Sequence, residues 1–291
     1  MTIRNIQQIK WTPYFDNVPK EQLHQFKKFI KNHPLKQIDN AGHKITYIDC
    51  GQGSKTVIFC HGALVRSDMF FHSITEMEKK YRIIAPTFTS MDTFEAVEWI
   101  KIIREKEHVS TFYIIGYSFG GGIAQLLMHF HPDWLDGVVL THTSNIYRLI
   151  PAKKMKVISI LLHFLPFSFI IKKIRRRRKN ISKKLKWYQF YQAYFEEVTH
   201  SLKKRNIIQW INNTNKLIPK IKRISAPKFR KPIIILGTEG DSDAFPYFHQ
   251  LCEIYPHAKS HIFIEEGGHH YLFLHPEKYT KVLNSMVSEM K

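Results

Sequence analysis

The stretch from Thr111 to Gln125, TFYIIGYSFGGGIAQ, constrains the fold of this chain more than any other. A short apolar run reads as a strand and the run after it as an amphipathic helix. The residues between them, Gly116-Tyr117-Ser118-Phe119-Gly120, leave room only for a tight turn. Glycines on both sides of the serine let strand and helix approach closely. A strained strand-to-helix turn of this G-x-S-x-G form lifts the serine hydroxyl out of the sheet, where a base can reach it. The positive end of the following helix then lies near any negative charge that develops there. The pentapeptide alone arises by chance in glycine-rich loops. The strand before it and the helix behind it give it meaning.

The rest of the chain repeats that rhythm. His43 to Asp49 alternates like a strand, Gly51-Gln52-Gly53 is a turn, and Thr56 to Cys60 is a continuous apolar run of the buried-strand kind. Tyr81 to Ala85 is another strand, and a helix covers Phe94 to Lys106. After the elbow come a helix over Gly121 to Phe130 and a strand over Gly137 to Thr141. The alternation then stops from Asn145 to about Ala226 and resumes with strand Ile233 to Leu236, helix Tyr247 to Tyr255, strand His261 to Ile264 and a final helix over Glu277 to Met290. Strands alternating with helices predict an α/β protein, a mostly parallel sheet with helices on both faces. The expected organisation is an N-terminal extension over 1–40, a first core part over 41–144, a helical insertion over 145–226 and a second core part over 227–291. A helix over Lys20 to Asn32, with Leu23, Phe26, Phe29 and Ile30 on one face, would pack the extension onto the core.

Charge marks the insertion. The chain carries a formal net charge of +20 over 291 residues. Residues 145–226 hold 21 Lys and Arg against Glu196 and Glu197 alone, so +19 of the excess sits in one segment. The three cysteines, Cys50, Cys60 and Cys252, match no metal pattern and no disulfide framework, which points to a reducing compartment. The opening MTIRNIQQIKWTPY has no apolar core of a secretion signal. A cytoplasmic location is therefore expected.

A serine hydroxyl becomes nucleophilic at neutral pH only beside a base, and that base needs a carboxylate to orient it. Downstream of Ser118 the sequence offers acids at Glu239, Asp241 and Asp243, then histidines at His269 and His270, in the order Ser, acid, His. With these residues in this order the chain resembles an α/β-hydrolase carrying a helical cap, of the esterase and lipase-like kind. The resemblance covers residues 43 to 290, the cap matching poorly. Four features carry it: the strand ending in His61-Gly62, the Gly116 to Gly120 elbow, the strand Pro232-Ile-Ile-Ile-Leu-Gly237, and Gly268-His269 followed by His275-Pro276-Glu277.

The resemblance implies a catalytic triad of Ser118, Asp241 and His269. The family carboxylate falls nine residues after the proline that opens its strand, which selects Asp241 over Asp243 and Glu239. Gly268 and the spacing to Pro276 select His269 over His270 and His275. It also implies an oxyanion hole from the backbone N–H groups of Ala63 and Phe119, with Leu64 the competing neighbour of Ala63. His61 is structural in the family. One departure affects the pocket and not the triad: the loop Pro86 to Met91 lacks the glycines the family often has there. A serine in the elbow argues against dehalogenase chemistry, which uses aspartate at that position in this family. The expected activity is hydrolysis of a small-molecule carboxylic ester or thioester without metal or organic cofactor. The competing expectation is a hydrolase-like scaffold that binds an anionic partner or surface with little turnover.

The insertion allows several readings. Val157 to Ile171 is strongly apolar, and Lys172 to Lys179 (KKIRRRRK) follows it. A transmembrane helix needs about 20 apolar residues. Pro166 interrupts this run and separates two shorter helices. A cap whose apolar face covers the site is expected ahead of a peripheral contact with anionic lipid. Nucleic acid is the weakest partner, because no reading module accompanies Arg175 to Lys179. Trp187, Tyr191, Tyr194 and Val198 share a helical face. Trp187, Tyr191 and Tyr194, with Leu64 and Tyr117, are the expected substrate-contacting side chains, and cap-to-core packing is the alternative. Together the cap features predict a substrate that is anionic and partly apolar.

Overall fold

A computed structural model describes residues 13–40, 42–89, 92–148, 152–176, 181–221 and 226–290. The elements are, in order, α1 (Lys20–Asn32), β1 (Lys36–Asn40), β2 (His43–Cys50), β3 (Thr56–Cys60), α2 (Phe71–Met77), β4 (Arg82–Thr87), α3 (Thr93–Lys106), β5 (Phe112–Tyr117), α4 (Phe119–Phe130) and β6 (Leu135–Thr141). Four helices follow without a strand: α5 (Ala152–Phe164), α6 (Phe167–Arg176), α7 (Tyr188–Ser201) and α8 (Lys204–Ile221). The chain then returns through β7 (Ile233–Thr238), α9 (Phe245–Ile254), β8 (Lys259–Phe263), α10 (Tyr271–Leu274) and α11 (Pro276–Ser288).

The strands form one sheet in the order β1-β2-β4-β3-β5-β6-β7-β8. β1 and β2 run antiparallel to their neighbours, and β4, β3, β5, β6, β7 and β8 are parallel. Every residue of β3, β5 and β7 is buried, which is why those strands read as unbroken apolar runs. Alternate residues feed two cores, one per face: Val57, Phe59, Tyr113 and Ile115 go to one, and Ile58, Cys60, Phe112 and Ile114 to the other. Helices α1, α2, α7 and α11 close the first core. Helices α3, α4 and α9, with the end of α8, close the second.

Elements not expected from the sequence include β1 and α2. β1 (KQIDN) contains a single apolar residue and is mostly exposed. Its polar side chains suit an edge strand, and pairing with β2 alone makes it a strand. Helix α2 spans just seven residues and takes its stability from Phe71, Ile74 and Met77 in the first core. The expected α1 spans Lys20–Asn32, with Phe26 and Phe29 fully buried and Leu23 and Ile30 packed at the margin.

The elbow shows how local sequence places a reactive atom. Ser118 has φ +53° and ψ −112°, a region that costs a residue with a Cβ on the order of 1–3 kcal/mol. The surrounding backbone holds it there. The Ser118 amide donates to the Thr141 carbonyl at 3.0 Å, and the Ser118 carbonyl accepts from the Gly121 amide at 3.0 Å. The Thr143 hydroxyl donates to the same carbonyl at 2.6 Å. A Cβ at Gly120 would lie 2.0 Å from the Cys60 carbonyl oxygen, so glycine alone permits α4 to cross β3 this closely.

Candidate active site

Each of the three side chains of the expected triad sits past the carboxyl end of a parallel strand: Ser118 after β5, Asp241 after β7 and His269 after β8. That is the end at which open α/β sheets place their ligands. The structure brings the three together. His269 Nε2 lies 2.9 Å from Ser118 Oγ, and His269 Nδ1 lies 2.8 Å from Asp241 Oδ2. With the carboxylate ionised, Nδ1–H donates to it, and the free Nε2 lone pair can accept the Ser118 hydroxyl proton.

Asp241 is fixed from two sides. Its other oxygen, Oδ1, accepts from the Asp243 and Ala244 amides at 3.0 and 2.9 Å at the entrance to α9. The carboxylate therefore pins the turn that leads into α9 as well as partnering the imidazole. Burial pushes its pKa up. The hydrogen bond from His269, the nearby His269 and His142 and the Ala244 amide outweigh burial and hold it below the ordinary carboxylate value. Of the two other candidate acids, Asp243 supplies its backbone amide to Asp241 and Glu239 is exposed.

His269 stands in a short turn, Gly268–His270. Gly268 has φ +50°, and a Cβ there would lie 2.7 Å from the Gly240 carbonyl oxygen, so the loops carrying the base and the acid touch at glycine. The Tyr117 hydroxyl donates to the His269 carbonyl. His270 points the other way, its ring 5.1 Å from that of Tyr191 and 5.2 Å from that of Phe195. His275 hydrogen-bonds the Glu266 carbonyl at 2.7 Å.

The loop after β3 abuts the serine: a Cβ on Gly62 would be 3.6 Å from Ser118 Cβ. Leu64 takes φ +62°, and both Ala63 and Leu64 are partly exposed. His61 anchors this loop. Its Nε2 accepts from the Phe88 amide at 2.8 Å, so its Nδ1 carries the proton and donates to the Gly62 carbonyl at 2.7 Å. Phe119 opens α4, where the first amides have no intrahelical acceptor.

Several expected substrate contacts turn inward instead. Trp187 is buried, and its indole N–H donates to Glu277 at 2.9 Å, clamping the insertion to α11. Tyr194 is buried, and its hydroxyl donates to Asp68 Oδ1 at 2.6 Å. Tyr191 is buried with its ring near Phe195, His270 and Phe273. Tyr117 is buried beneath the site, with its hydroxyl on the His269 backbone. All four rings belong to the core on the α7 side of the sheet, the packing alternative that the sequence left open.

Two features of the site carry almost no signal in the sequence. His142 is buried at φ +47°, with Nε2 2.7 Å from Thr238 Oγ1 and Nδ1 2.9 Å from Thr141 Oγ1. Its ring stacks on Tyr117 at 5.1 Å, behind the serine and the acid. A histidine one residue past a strand is its only sequence signal, and a solvated loop would read the same. The second feature is an ion cluster. Arg66 donates to Asp68 Oδ2 at 3.1–3.2 Å and to Glu197 Oε2 at 2.8 Å, and all three side chains are buried. The guanidinium also lies 5.5 Å from the Tyr194 ring centroid. This cluster ties α7 to the loop that carries Ala63, from a segment far along the chain.

Burial depresses both inner histidines, His61 to a pKa of about 4 and His142 to about 3. Unfolded, each would take a proton near 6.5. Between roughly pH 6.5 and 4 the unfolded chain therefore binds more protons, so stability falls as pH falls through that window. Each histidine contributes on the order of 3 kcal/mol by pH 4, and Asp241, whose pKa is lowered, adds to the loss only below it. Urea midpoints should drop steeply from about pH 6.5 to about pH 4. The double variant His61→Gln/His142→Gln should be less stable at neutral pH but show a flatter pH profile. An equally steep profile in that variant would remove these two side chains as the cause.

Among the described residues, one trio could hold a metal: His33, Cys50 and Glu78 have ligand atoms within 4.8 Å of one another. It sits at the other end of β4 from the serine, beside Ile83, and His33 Nε2 pairs with Glu78 at 2.7 Å.

Residues 57–282 match the profile of the alpha/beta hydrolase family, and the chain belongs to that family. Solved structures with the same fold include an esterase, EaEST, from Exiguobacterium antarcticum, with a TM-score of 0.69 at 18% identity, covering 87% of this chain and 99% of that one. An enol-lactonase from Burkholderia xenovorans LB400 superposes with a TM-score of 0.73 at 12% identity, over 87% and 100% of the two chains. One curated relative is similar in part: a 1-acylglycerol-3-phosphate O-acyltransferase from Arabidopsis thaliana, 25% identical over 112 residues, or 33% of this chain. The match spans about a quarter, 27%, of that protein's length.

Proposed function

We propose that the protein is a serine hydrolase of carboxylic esters or thioesters that works through an acyl-enzyme on Ser118. The observation that carries this reading is the continuous hydrogen-bonded line from Ser118 Oγ through His269 to the Asp241 carboxylate, itself held by two backbone amides. Ser118 Oγ attacks the carbonyl carbon while His269 Nε2 takes its proton. The tetrahedral oxyanion is met by the Ala63 and Phe119 amides, each such donor typically contributing about 3 kcal/mol to lowering the barrier. Collapse expels the alcohol or thiol, which leaves with the proton from His269. A water then loses a proton to His269, attacks the acyl carbon, and the acid is released as Ser118 regains its hydrogen. Asp241 holds the imidazole in the required tautomer throughout.

The partial likeness to an acyltransferase supports a second acceptor for the same intermediate, an alcohol in place of water. A fluorophosphonate probe tests the shared step. Labelling should be stoichiometric, abolished in Ser118→Ala and blocked by substrate. Absence of labelling in folded protein would favour the scaffold reading. Product analysis with and without an added alcohol separates hydrolysis from transfer.

The charge of the insertion supports an anionic substrate with an apolar portion. Attraction over a screening length of about 8 Å at physiological salt acts on encounter rate. kcat/KM for an anionic ester should fall severalfold from low to high salt while that of a matched neutral ester stays level. Equal salt responses would remove charge from substrate selection.

A further inference from the structure

The apolar run over α5 and α6 is divided between two directions. Ile158 and Leu162 face inward, where they pack with Ile170, Ile171, Ile207 and Ile211 in a small third core between α5, α6 and α8. Val157, Ile160, Leu161 and Phe164 face outward, at the i, i+3, i+4, i+7 spacing of a single stripe. Their side chains are 53–83% exposed, and Phe169 on α6 adds another at 53%. Among the described residues only Phe130 and Ile264 join these five as large apolar side chains so exposed. This face therefore does not cover the active site, as the sequence reading expected of it; it points into solvent.

What surrounds the stripe identifies its occupant. Lys172 and Lys173 are exposed one turn beyond Phe169, on the same side of α6. Lys156 is exposed beside Val157. Arg175 is exposed and pairs with Glu196, and residues 177–179 of the basic run lie outside the described residues. The whole insertion carries 21 basic residues against two acidic ones. A second copy of the chain is a poor fit, because a two-fold interface through this face would bring two such basic segments together. A membrane span is excluded for these helices: α5 has 13 residues, about 20 Å, against a hydrocarbon core of about 30 Å, and no described helix is long and apolar enough to cross. A short helix with a bare apolar stripe and a lysine-rich flank is suited to lie in the headgroup boundary of an anionic bilayer.

We propose that the α5–α6 hairpin docks the protein on anionic lipid surfaces, with Leu161, Phe164 and Phe169 entering the acyl boundary and Lys172 and Lys173 meeting the headgroups. Docking on this face is separate from the chemistry at Ser118. Vesicle sedimentation reads the first and probe labelling the second, so either reading can fail alone. The full chain is sedimented with vesicles of phosphatidylcholine, with or without phosphatidylglycerol. The wild type should pellet with the anionic vesicles, be released by salt and stay in solution with the neutral ones. Both Leu161→Ser/Phe164→Ser/Phe169→Ser and Lys172→Ala/Lys173→Ala should lose at least about tenfold in partition. Both should keep the wild-type circular dichroism, unfolding midpoint and turnover of a water-soluble ester, because every substituted side chain is exposed. The proposal is overturned by failure of the wild type to pellet, by equal pelleting with neutral vesicles, or by undiminished binding of the serine variant. Concentration-dependent dimerisation abolished by that same variant would also overturn it and assign the face to a second copy.

Discussion

Ser118→Ala should lower kcat/KM by a factor on the order of 10⁴ to 10⁶ while leaving the fold unchanged. The size follows from the site. Only the Ser118 hydroxyl lies within hydrogen-bond reach of His269 Nε2 among the described residues, so no neighbouring hydroxyl can replace it. The elbow itself depends on other atoms: the Ser118 amide and carbonyl, the Thr143 hydroxyl and the bare Cα of Gly120. Alanine at position 118 leaves all of these in place. Its methyl group must adopt the same positive φ, a strain the serine already bears, so the unfolding midpoint should move little. The measurement is kcat/KM on a responsive ester, paired with thermal unfolding. More than a tenth of wild-type activity in folded Ser118→Ala protein would end the assignment of Ser118 as nucleophile.

The second large effect separates two acids two residues apart. Asp241→Asn should reduce kcat by about 10⁴, the scale seen when a triad carboxylate becomes an amide and the imidazole is left in the wrong tautomer. The asparagine oxygen can still accept from the Asp243 and Ala244 amides, so the turn before α9 is kept. The NH₂ group would then face His269 Nδ1, where donor meets donor. The imidazole responds by carrying its proton on Nε2, and it can no longer accept from Ser118. Asp243→Asn should stay within about threefold of wild type, because Asp243 bonds Asp241 through its backbone amide, which the substitution keeps. Assaying the two variants side by side decides the matter. A crippled Asp243→Asn enzyme beside a healthy Asp241→Asn enzyme would reverse the roles.

The position of the acid was already implied by a resemblance and a count of nine residues from Pro232, yet its physical reason is a turn. The Asp241 amide donates to the Thr238 carbonyl at 3.0 Å, and the side chain then accepts from the Asp243 and Ala244 amides in the next turn. Both act locally, so residues 238–245 carry most of the information that orients this carboxylate. Helix α1 and strands β3, β5 and β7 were legible for a related reason. Their apolar periodicity expresses burial on one face or on both, and burial is what the fold demands of them. Strand β1 was not legible, because its stability comes from hydrogen bonds to β2 and not from its own side chains.

Aromatic residues mark the limit. Trp187, Tyr191 and Tyr194 share a helical face, and sequence alone allows that face to line a pocket or to join a core. The choice depended on partners far along the chain, Glu277 for the indole and Asp68 for the Tyr194 hydroxyl. The apolar run of α5 posed the same problem. Ile158 and Ile160 are chemically identical near neighbours, and only the placement of α8 separates them: Ile158 is packed and Ile160 is not.

The choice of Asp241 and His269 as partners of Ser118 came from a family resemblance, whereas near-neighbour chemistry was enough to determine the alternation that builds a parallel sheet and the strained turn that carries Ser118. These depend on hydrophobic period, glycine and proline placement, and short-range hydrogen bonding, all of which can be read along the chain. Tertiary structure alone decided that His142 lies buried behind the acid, that Arg66 binds Glu197, and that the stripe from Val157 to Phe164 faces solvent. Each of those depends on which distant surfaces meet, and burial energies between remote segments leave no fixed spacing along the chain from which they could be read.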